Sequence, residues 1–134
     1  MNQNIDHPPI DVAIERVGQE IVDCGLQVHQ ALGPGLLESA YEACLAYEFA
    51  RRGLNVRSQV ALPIIYDSVT LDAGYRIDIL VEDAVIVEIK AIDSLQPIHQ
   101  AQLLTYLKLS GLRLGYLMNF NVALVKQGIK RIVL

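Results

Sequence analysis

Cysteine is scarce in this sequence, and the two cysteines present do not form a recognisable motif. Cys24 and Cys44 lie far apart in the chain, with no CxxC spacing and no histidine partner beside them. Zinc sites and disulfide frameworks need clustered or paired cysteines. The sequence therefore supports neither, and it favours two reduced, buried thiols.

Long apolar runs are also missing. The segment 84–87, Ala-Val-Ile-Val, is typical of the uninterrupted apolar stretches, whereas a helix that crosses a bilayer needs about 20 apolar residues. The first nine residues contain neither the basic nor the apolar segment of a secretory signal. We therefore expect no membrane partner and a cytoplasmic location.

Positive charge is in deficit, with 11 Lys and Arg against 15 Asp and Glu and a net charge of −4. This excludes a protein that holds nucleic acid through a uniformly basic surface, because such binding depends on neutralising phosphates. A local basic patch, or a metal ion bridging acidic side chains and phosphate, is compatible with the balance. Two groups of cationic residues could form a basic patch, or each could be an ordinary solvated surface. The first group is Arg51, Arg52 and Arg57, and the second is Lys126, Lys130 and Arg131.

Apolar residues are abundant enough for one folded domain. They make up 52% of the 134 residues, which is more than a disordered chain contains, and the length suits a single domain. We expect a flexible arm at residues 1–10, where Pro8 and Pro9 discourage a helix, and one domain over residues 11–134.

Periodicity predicts an α+β domain with a mixed sheet and the element order α-α-β-β-β-α-β-β. Helical spacing of apolar residues follows Asp11, which is a candidate N-cap. β-branched and aromatic segments bounded by turn residues predict the strands. The predicted helices begin at Asp11, at about residue 36 (ending near 52) and at Pro97 (ending near 110), and the predicted strands cover 56–66, 69–80, 84–91, 113–119 and 129–134.

The segment from Arg76 to Lys90 predicts an antiparallel hairpin in which two acidic residues are neighbours. A three-residue loop at 82–84 separates an apolar face from a mixed face, and the hydrophobic pattern sets this register. The apolar face pairs Val81 with Val85, Ile79 with Val87 and Ile77 with Ile89; the other face pairs Leu80 with Ile86, Asp78 with Glu88 and Arg76 with Lys90.

Asp78 and Glu88 raise an electrostatic problem in this register. Directly opposed side chains have Cβ atoms about 4.5–5.5 Å apart, and like charges at that distance destabilise a sheet. Such carboxylates share either a proton or a cation, and hard oxygen ligands suit Mg²⁺ or Mn²⁺. Lys90 projects from the same face, where an ammonium can orient water or stabilise a transition state. The alternative is an ordinary solvated hairpin face, although Leu80 and Ile86 favour a hairpin covered on both sides.

Two helices carry polar residues that could complete a site. Glu38, Tyr41 and Glu42 share one face of the second helix; alternatively, Glu38 interacts with the helix dipole and Tyr41 belongs to the core. Gln102 and Tyr106 are four residues apart on the third helix, where they either position a phosphate or a metal ligand or form a solvated flank.

These residues together resemble the PD-(D/E)XK nuclease superfamily. The resemblance rests on Asp78 in one strand, Glu88-Ile89-Lys90 in the next, and the order of the surrounding helices and strands. Gln102-x-x-x-Tyr106 is similar to the QxxxY element of the RecB-like branch. The segment 35–41, Gly-Leu-Leu-Glu-Ser-Ala-Tyr, resembles the signature of the GxxExxY family.

The resemblance implies a restriction-endonuclease-like core and a Mg²⁺- or Mn²⁺-dependent nuclease, with DNA the expected substrate. Asp78, Glu88 and Glu38 would be metal ligands and Lys90 the catalytic lysine. Gln102, Tyr106 and Tyr41 would support the site or bind substrate. Ile77 departs from the proline of the family pattern, at a position that ligates nothing. The alternative is a non-catalytic module of the same fold that binds nucleic acid or a protein, and the small size favours dimerisation or a partner protein.

Overall fold

Three α-helices and a five-stranded mixed sheet make up the computed structural model, which describes residues 8–134 and confirms the predicted α+β class. Residues 1–7 of the predicted arm lie outside the described residues. The helices are α1 (Val12–Leu32), α2 (Glu38–Arg51) and α3 (Pro97–Ser110), and the strands are β1 (Val56–Ala61), β2 (Ile64–Tyr66), β3 (Val69–Leu71), β4 (Arg76–Val81), β5 (Val85–Lys90), β6 (Leu114–Asn119) and β7 (Ile129–Val133).

The helix boundaries follow from local sequence signals. The Asp11 carboxylate accepts a hydrogen bond from the Ala13 main-chain N–H (2.7 Å), so the predicted N-cap of α1 is confirmed. Pro97 opens α3, where its missing N–H costs nothing. Gly111 ends the same helix with a left-handed φ of 74°, a conformation that glycine adopts without a steric penalty.

Two predicted strands are each divided in the structure. The segment 56–66 forms β1 and β2, and the segment 69–80 forms β3 and β4. Leu62 still donates its N–H to the Tyr75 carbonyl (2.9 Å), but Pro63 has no N–H and cannot continue the pairing. Gly74 has a φ of 81°, which turns the chain before β4. The strands β2 and β3 therefore pair with each other as a separate two-stranded ribbon.

The main sheet has the strand order β1-β4-β5-β6-β7, in which the β5–β6 pair is parallel and the other pairs are antiparallel. Helices α1 and α2 cover one face, where Ile21 and Leu45 pack with Val87. Helix α3 covers the opposite face, where Leu103 packs with Ile86. The central strands β4 and β5 are thus buried on both sides. Among residues 8–134, no helix combines the length and the apolar character that spanning a membrane requires.

Candidate functional site

The predicted hairpin register is confirmed close to the loop and changes at the acidic residues. Main-chain pairing joins Val81 with Val85, Leu80 with Ile86 and Ile79 with Val87, as predicted. The other three predicted pairs are not part of the main-chain ladder. They are Ile77 with Ile89, Asp78 with Glu88, and Arg76 with Lys90. Carboxylates there accept the N–H groups that a regular ladder would use, so the two strands separate at Asp78 and Glu88.

Asp78 and Glu88 contact each other through this exchange of hydrogen bonds. The Asp78 N–H donates to Glu88 Oε1 (3.1 Å), and the Ile89 N–H donates to Asp78 Oδ2 (2.8 Å). Glu88 is 4% exposed, whereas Asp78 is half-buried. The two acidic residues therefore lie together in the fold, but not as the directly opposed ladder pair that the sequence predicts.

The local geometry also changes which face two neighbouring side chains occupy. Ile77 was expected with Ile79 and Ile89 on the apolar face, but it packs in the α3-side cluster with Leu80 and Ile86. Asp78 instead borders a cleft beside α2. Strict alternation fails because the β4–β5 ladder opens at this point. Opposite Asp78 on β1, Gln59 has a φ of 53°, in the left-handed region, so the backbone is irregular on that side too.

The surroundings of Glu88 favour the protonated form of its carboxyl group. Burial, and next the negative charge of Asp78, raise the pKa of Glu88 from 4.5 to about 8. The positive charge of Lys90 opposes this rise without cancelling it. A metal ion that binds this carboxyl group would replace the proton, because carboxylates bind metals in their ionised form.

A carboxylate-lined cleft of about 250 Å³ extends from Asp78 towards α2 and β1. Glu38 and Glu42 from α2 line it, together with Gln59 from β1. Gln59 Nε2 donates a hydrogen bond to Glu42 Oε1 (2.6 Å). Burial, and to a smaller extent the charges of Asp78 and Glu38, raise the pKa of Glu42, while the bond from Gln59 lowers it. The cleft thus concentrates negative charge from α2 beside Asp78.

Glu42 and Gln59 also line this cleft, although the sequence assigned a specific role in the site to neither of them. Glu42 follows Glu38 by one helical turn, so its place on the same face was the available signal. Gln59 gave no signal, because its position depends on the long-range pairing of β1 with β4.

A second cleft, which we call the α3 groove, contains three of the other predicted residues. It has a volume of about 530 Å³, and Lys90, Gln102 and Tyr106 line it. Gln102 Nε2 donates to the Tyr106 hydroxyl (3.3 Å). After burial, the charge of Glu88 is the next largest cause that raises the pKa of Tyr106, so the groove lies close to the acidic pair.

Tyr41 lies in the core rather than in either cleft. Its ring stacks on Phe120 with ring centres 4.5 Å apart. Its hydroxyl donates to the Gly33 carbonyl (2.6 Å) and accepts from the Leu36 N–H (3.1 Å). Tyr41 thereby fixes the connection that leads into α2 and Glu38.

The predicted three-carboxylate ligand set is not assembled as one cluster. Across residues 8–134, no group of three His, Cys, Asp or Glu side chains is arranged so that it could hold a metal ion. Asp78 and Glu88 are in contact, and Glu38 lines the cleft beside Asp78 while remaining exposed. Carboxylate oxygens around a solvent-accessible cleft are nevertheless the donors that Mg²⁺ and Mn²⁺ prefer, and Mg²⁺ retains several waters in such sites. The chemistry of the donor set therefore fits these ions.

Most of the predicted basic groups are occupied by ion pairs. Arg52 binds Glu20 (2.6 Å), Arg57 binds Asp83 (2.6 Å), Arg51 lies 3.7 Å from Glu48, and Arg131 pairs with Glu15. Exposed pairs of this kind contribute little to stability, but they reduce the positive charge that these arginines present to a phosphate backbone. A basic patch built from them is correspondingly weak.

Comparison with known proteins adds one match. A family model described as the PD-(D/E)XK nuclease superfamily matches residues 15–132, which is most of the chain. Searches of curated proteins and of solved structures returned no match. The matched range contains both clefts and the acidic pair between them.

Proposed function

The chain belongs to the PD-(D/E)XK nuclease superfamily, and on that premise we propose that it is a metal-dependent nuclease that hydrolyses phosphodiester bonds, with DNA as its substrate. The observation that carries the proposal is the contact between Asp78 and the buried Glu88 at the point where the β4–β5 ladder opens. Two carboxylates in this position are costly to fold without a bound proton or cation.

The finer family assignment belongs to the same proposal. The glycine, glutamate and tyrosine at 35, 38 and 41 support the GxxExxY family, and Gln102 with Tyr106 supports its RecB-like branch. We also propose that residues 11–134 form one nuclease-like domain, and that the protein acts in the cytoplasm, where its two free cysteines would stay reduced.

Asp78 and Glu88 would hold the Mg²⁺ or Mn²⁺ ion, and Glu38 would border it across the cleft. Glu42 joins this set, since it lines the same cleft. When bound, the ion supplies a Lewis acid for the phosphoryl oxygen and lowers the pKa of an attacking water. Asp78 and Glu88 lie close enough to the α3 groove for their charges to act on Tyr106, so an ion held by them would lie near the groove as well.

The remaining residues bind and orient the substrate. The Lys90 ammonium, which lines the α3 groove, would attract a phosphate and stabilise the negative charge that develops on it. The hydrogen-bonded Gln102 and Tyr106 would position that phosphate or a water molecule. Tyr41 supports the site indirectly by fixing the turn before Glu38.

The second candidate function is a non-catalytic module of the same fold that binds nucleic acid or a protein partner, either alone or as a homodimer. The lack of a three-acid cluster within the described residues favours it. The pairing of four predicted cations with acidic side chains weakens nucleic-acid binding and so favours a protein partner.

Cleavage assays with the purified full chain distinguish the two functions. We expect labelled DNA to be cleaved with Mg²⁺ or Mn²⁺ and to remain intact in EDTA. Lys90→Ala should abolish cleavage while Mn²⁺ affinity persists, and Asp78→Asn should weaken both. Lys108→Ala changes an exposed lysine on the same helix as Gln102, outside the groove lining, and should cleave like wild type.

Two results would contradict the nuclease proposal or its site. If neither DNA nor RNA is cleaved with either metal, the non-catalytic module is the better explanation. If Asp78→Asn binds Mn²⁺ as tightly as the wild type, the acidic pair is not the metal site.

A further inference from the structure

The α3 groove has a shape and a lining that a phosphate-binding site does not need. Its walls are largely apolar: Ile64 from β2 and Ile98, Ala101 and Leu109 from α3. Its volume of about 530 Å³ lies within the roughly 300–1,000 Å³ of ordinary ligand pockets. A nucleic-acid backbone alone would be served by a shallow polar surface, so the groove has room for an additional, apolar part of a ligand.

Tyr75 provides an aromatic surface at this groove. It lines the cavity and is 43% exposed. Its ring meets Tyr106 edge-to-face, with ring centres 6.3 Å apart and an angle of 69°. The two rings are therefore not stacked face to face. Ile98, which also lines the groove, is 69% exposed.

Lys90 connects this apolar space to the acidic pair. It lines the groove together with Tyr75, and its charge acts on Glu88. The lining of the groove therefore combines an ammonium for a phosphate with a tyrosine ring and aliphatic side chains. An unpaired nucleotide has the same division between an anionic phosphate and a flat, apolar base.

We propose that the α3 groove binds an unpaired base of the substrate by stacking it on Tyr75, so that the protein prefers single-stranded nucleic acid or frayed ends to intact duplex. This proposal rests on the proposed nuclease function. Bases in a duplex are already stacked on their neighbours, and their edges rather than their faces are accessible. Single-strand-binding proteins commonly combine a cationic groove with aromatic residues for stacking.

A binding measurement tests the proposal without requiring cleavage. Fluorescence anisotropy in EDTA would compare a labelled single-stranded oligonucleotide with the duplex of the same sequence. We expect wild type to bind the single strand more tightly, and Tyr75→Ala to weaken that binding about tenfold, as loss of one base–aromatic stack does. Duplex affinity should stay unchanged, and Tyr75→Phe should retain wild-type affinity for the single strand.

The chain offers a matched control and a reason to expect Tyr75→Ala to fold. The Tyr75 carbonyl, rather than its side chain, accepts the bonds from Leu62 and Arg76, so the substitution leaves both bonds in place. Tyr47 is an exposed tyrosine on α2 that lines a different cavity, and Tyr47→Ala should bind single strands as the wild type does.

Several results would overturn the proposal. One is that Tyr75→Ala and wild type bind the single strand with equal affinity. Another is that Tyr75→Ala loses as much affinity for the duplex as for the single strand. A third is that the wild type does not bind the single strand. A change in oligomeric state with Tyr75→Ala, without a change in affinity for the single strand, would assign the groove to a second copy of the chain instead. Absence of cleavage by the wild type would refute the nuclease function, while the anisotropy data would still decide whether Tyr75 stacks a base.

Discussion

Replacing Glu88 with glutamine should change how the stability of the metal-free protein depends on pH. Between the unperturbed pKa of 4.5 and the folded-state pKa of about 8, Glu88 binds a proton in the folded protein and loses it in the unfolded chain. Its contribution to stability is therefore complete below pH 4.5 and is lost as the pH rises through 8. The slope is about 1.4 kcal/mol per pH unit over this window.

The magnitude follows from the slope and the width of the accessible range. Between pH 5.5 and 7.5, Glu88 should lower the free energy of unfolding by about 2 to 3 kcal/mol. Glu88→Gln keeps the size of the side chain and an oxygen that can accept the bond from the Asp78 N–H, but glutamine does not titrate. The variant should therefore lack this part of the pH dependence.

Urea denaturation in EDTA at several pH values measures the effect directly. The informative quantity is the difference in unfolding free energy between wild type and Glu88→Gln, because titrating groups distant from Glu88 contribute equally to both proteins. Asp93→Asn, which alters an exposed carboxylate outside both clefts, is the control and should follow the wild-type profile. Parallel profiles for wild type and Glu88→Gln would refute the inference that a buried, protonated Glu88 exists in the folded protein.

Three further predictions concern the metal and the packing around the site. Adding Mg²⁺ or Mn²⁺ should raise the thermal unfolding midpoint more at pH 8 than at pH 6, because at pH 8 fewer Glu88 carboxyl groups carry a proton that the ion must displace. An equal rise in the midpoint of Asp78→Asn and of wild type would contradict this site. Tyr41→Phe should cost about 1–3 kcal/mol in urea denaturation, since it removes the hydroxyl bonds to Gly33 and Leu36; unchanged stability would show that these bonds contribute nothing. Gly18→Ala should cost about 1–3 kcal/mol by the same assay, because the added methyl group would collide with the Tyr116 hydroxyl; a more stable variant would mean that α1 shifts freely.

The sequence was sufficient to predict the parts of the fold that depend on local patterns. The hairpin register near its loop followed from the alternation of Val81, Ile79 and Val87 with their neighbours, and the structure confirms it. The α+β class and the position of α3 followed from hydrophobic periodicity and from Pro97 and Gly111. Such signals act between residues that are close in sequence, so one chain suffices to read them.

The features that the sequence missed depend on contacts between distant segments. The division of the two long strands depends on where β1 stops pairing with β4, near Pro63. The place of Ile77 on the α3 side results from the opening of the ladder, which alternation alone cannot predict. Gln59 lies beside Glu42 in the cleft because β1 pairs with β4, a contact between distant segments.

The candidate site was likewise predictable in its pieces and not in its arrangement. The motif positions identified Asp78, Glu88, Lys90, Gln102 and Tyr106, but not their distribution between two clefts. Asp78 borders the carboxylate cleft, and Lys90 borders the α3 groove. Their separation follows from helices α2 and α3 covering opposite faces of the sheet.

The location of bound Mn²⁺ in a crystal of this protein would show whether Asp78 and Glu88 form its metal site. Anomalous scattering from Mn²⁺ should give a peak in contact with the carboxylates of Asp78 and Glu88, on the side that faces Glu38 and Glu42. A peak elsewhere, or no peak between these carboxylates at a saturating Mn²⁺ concentration, would contradict the assignment of the acidic pair as the metal site of a nuclease.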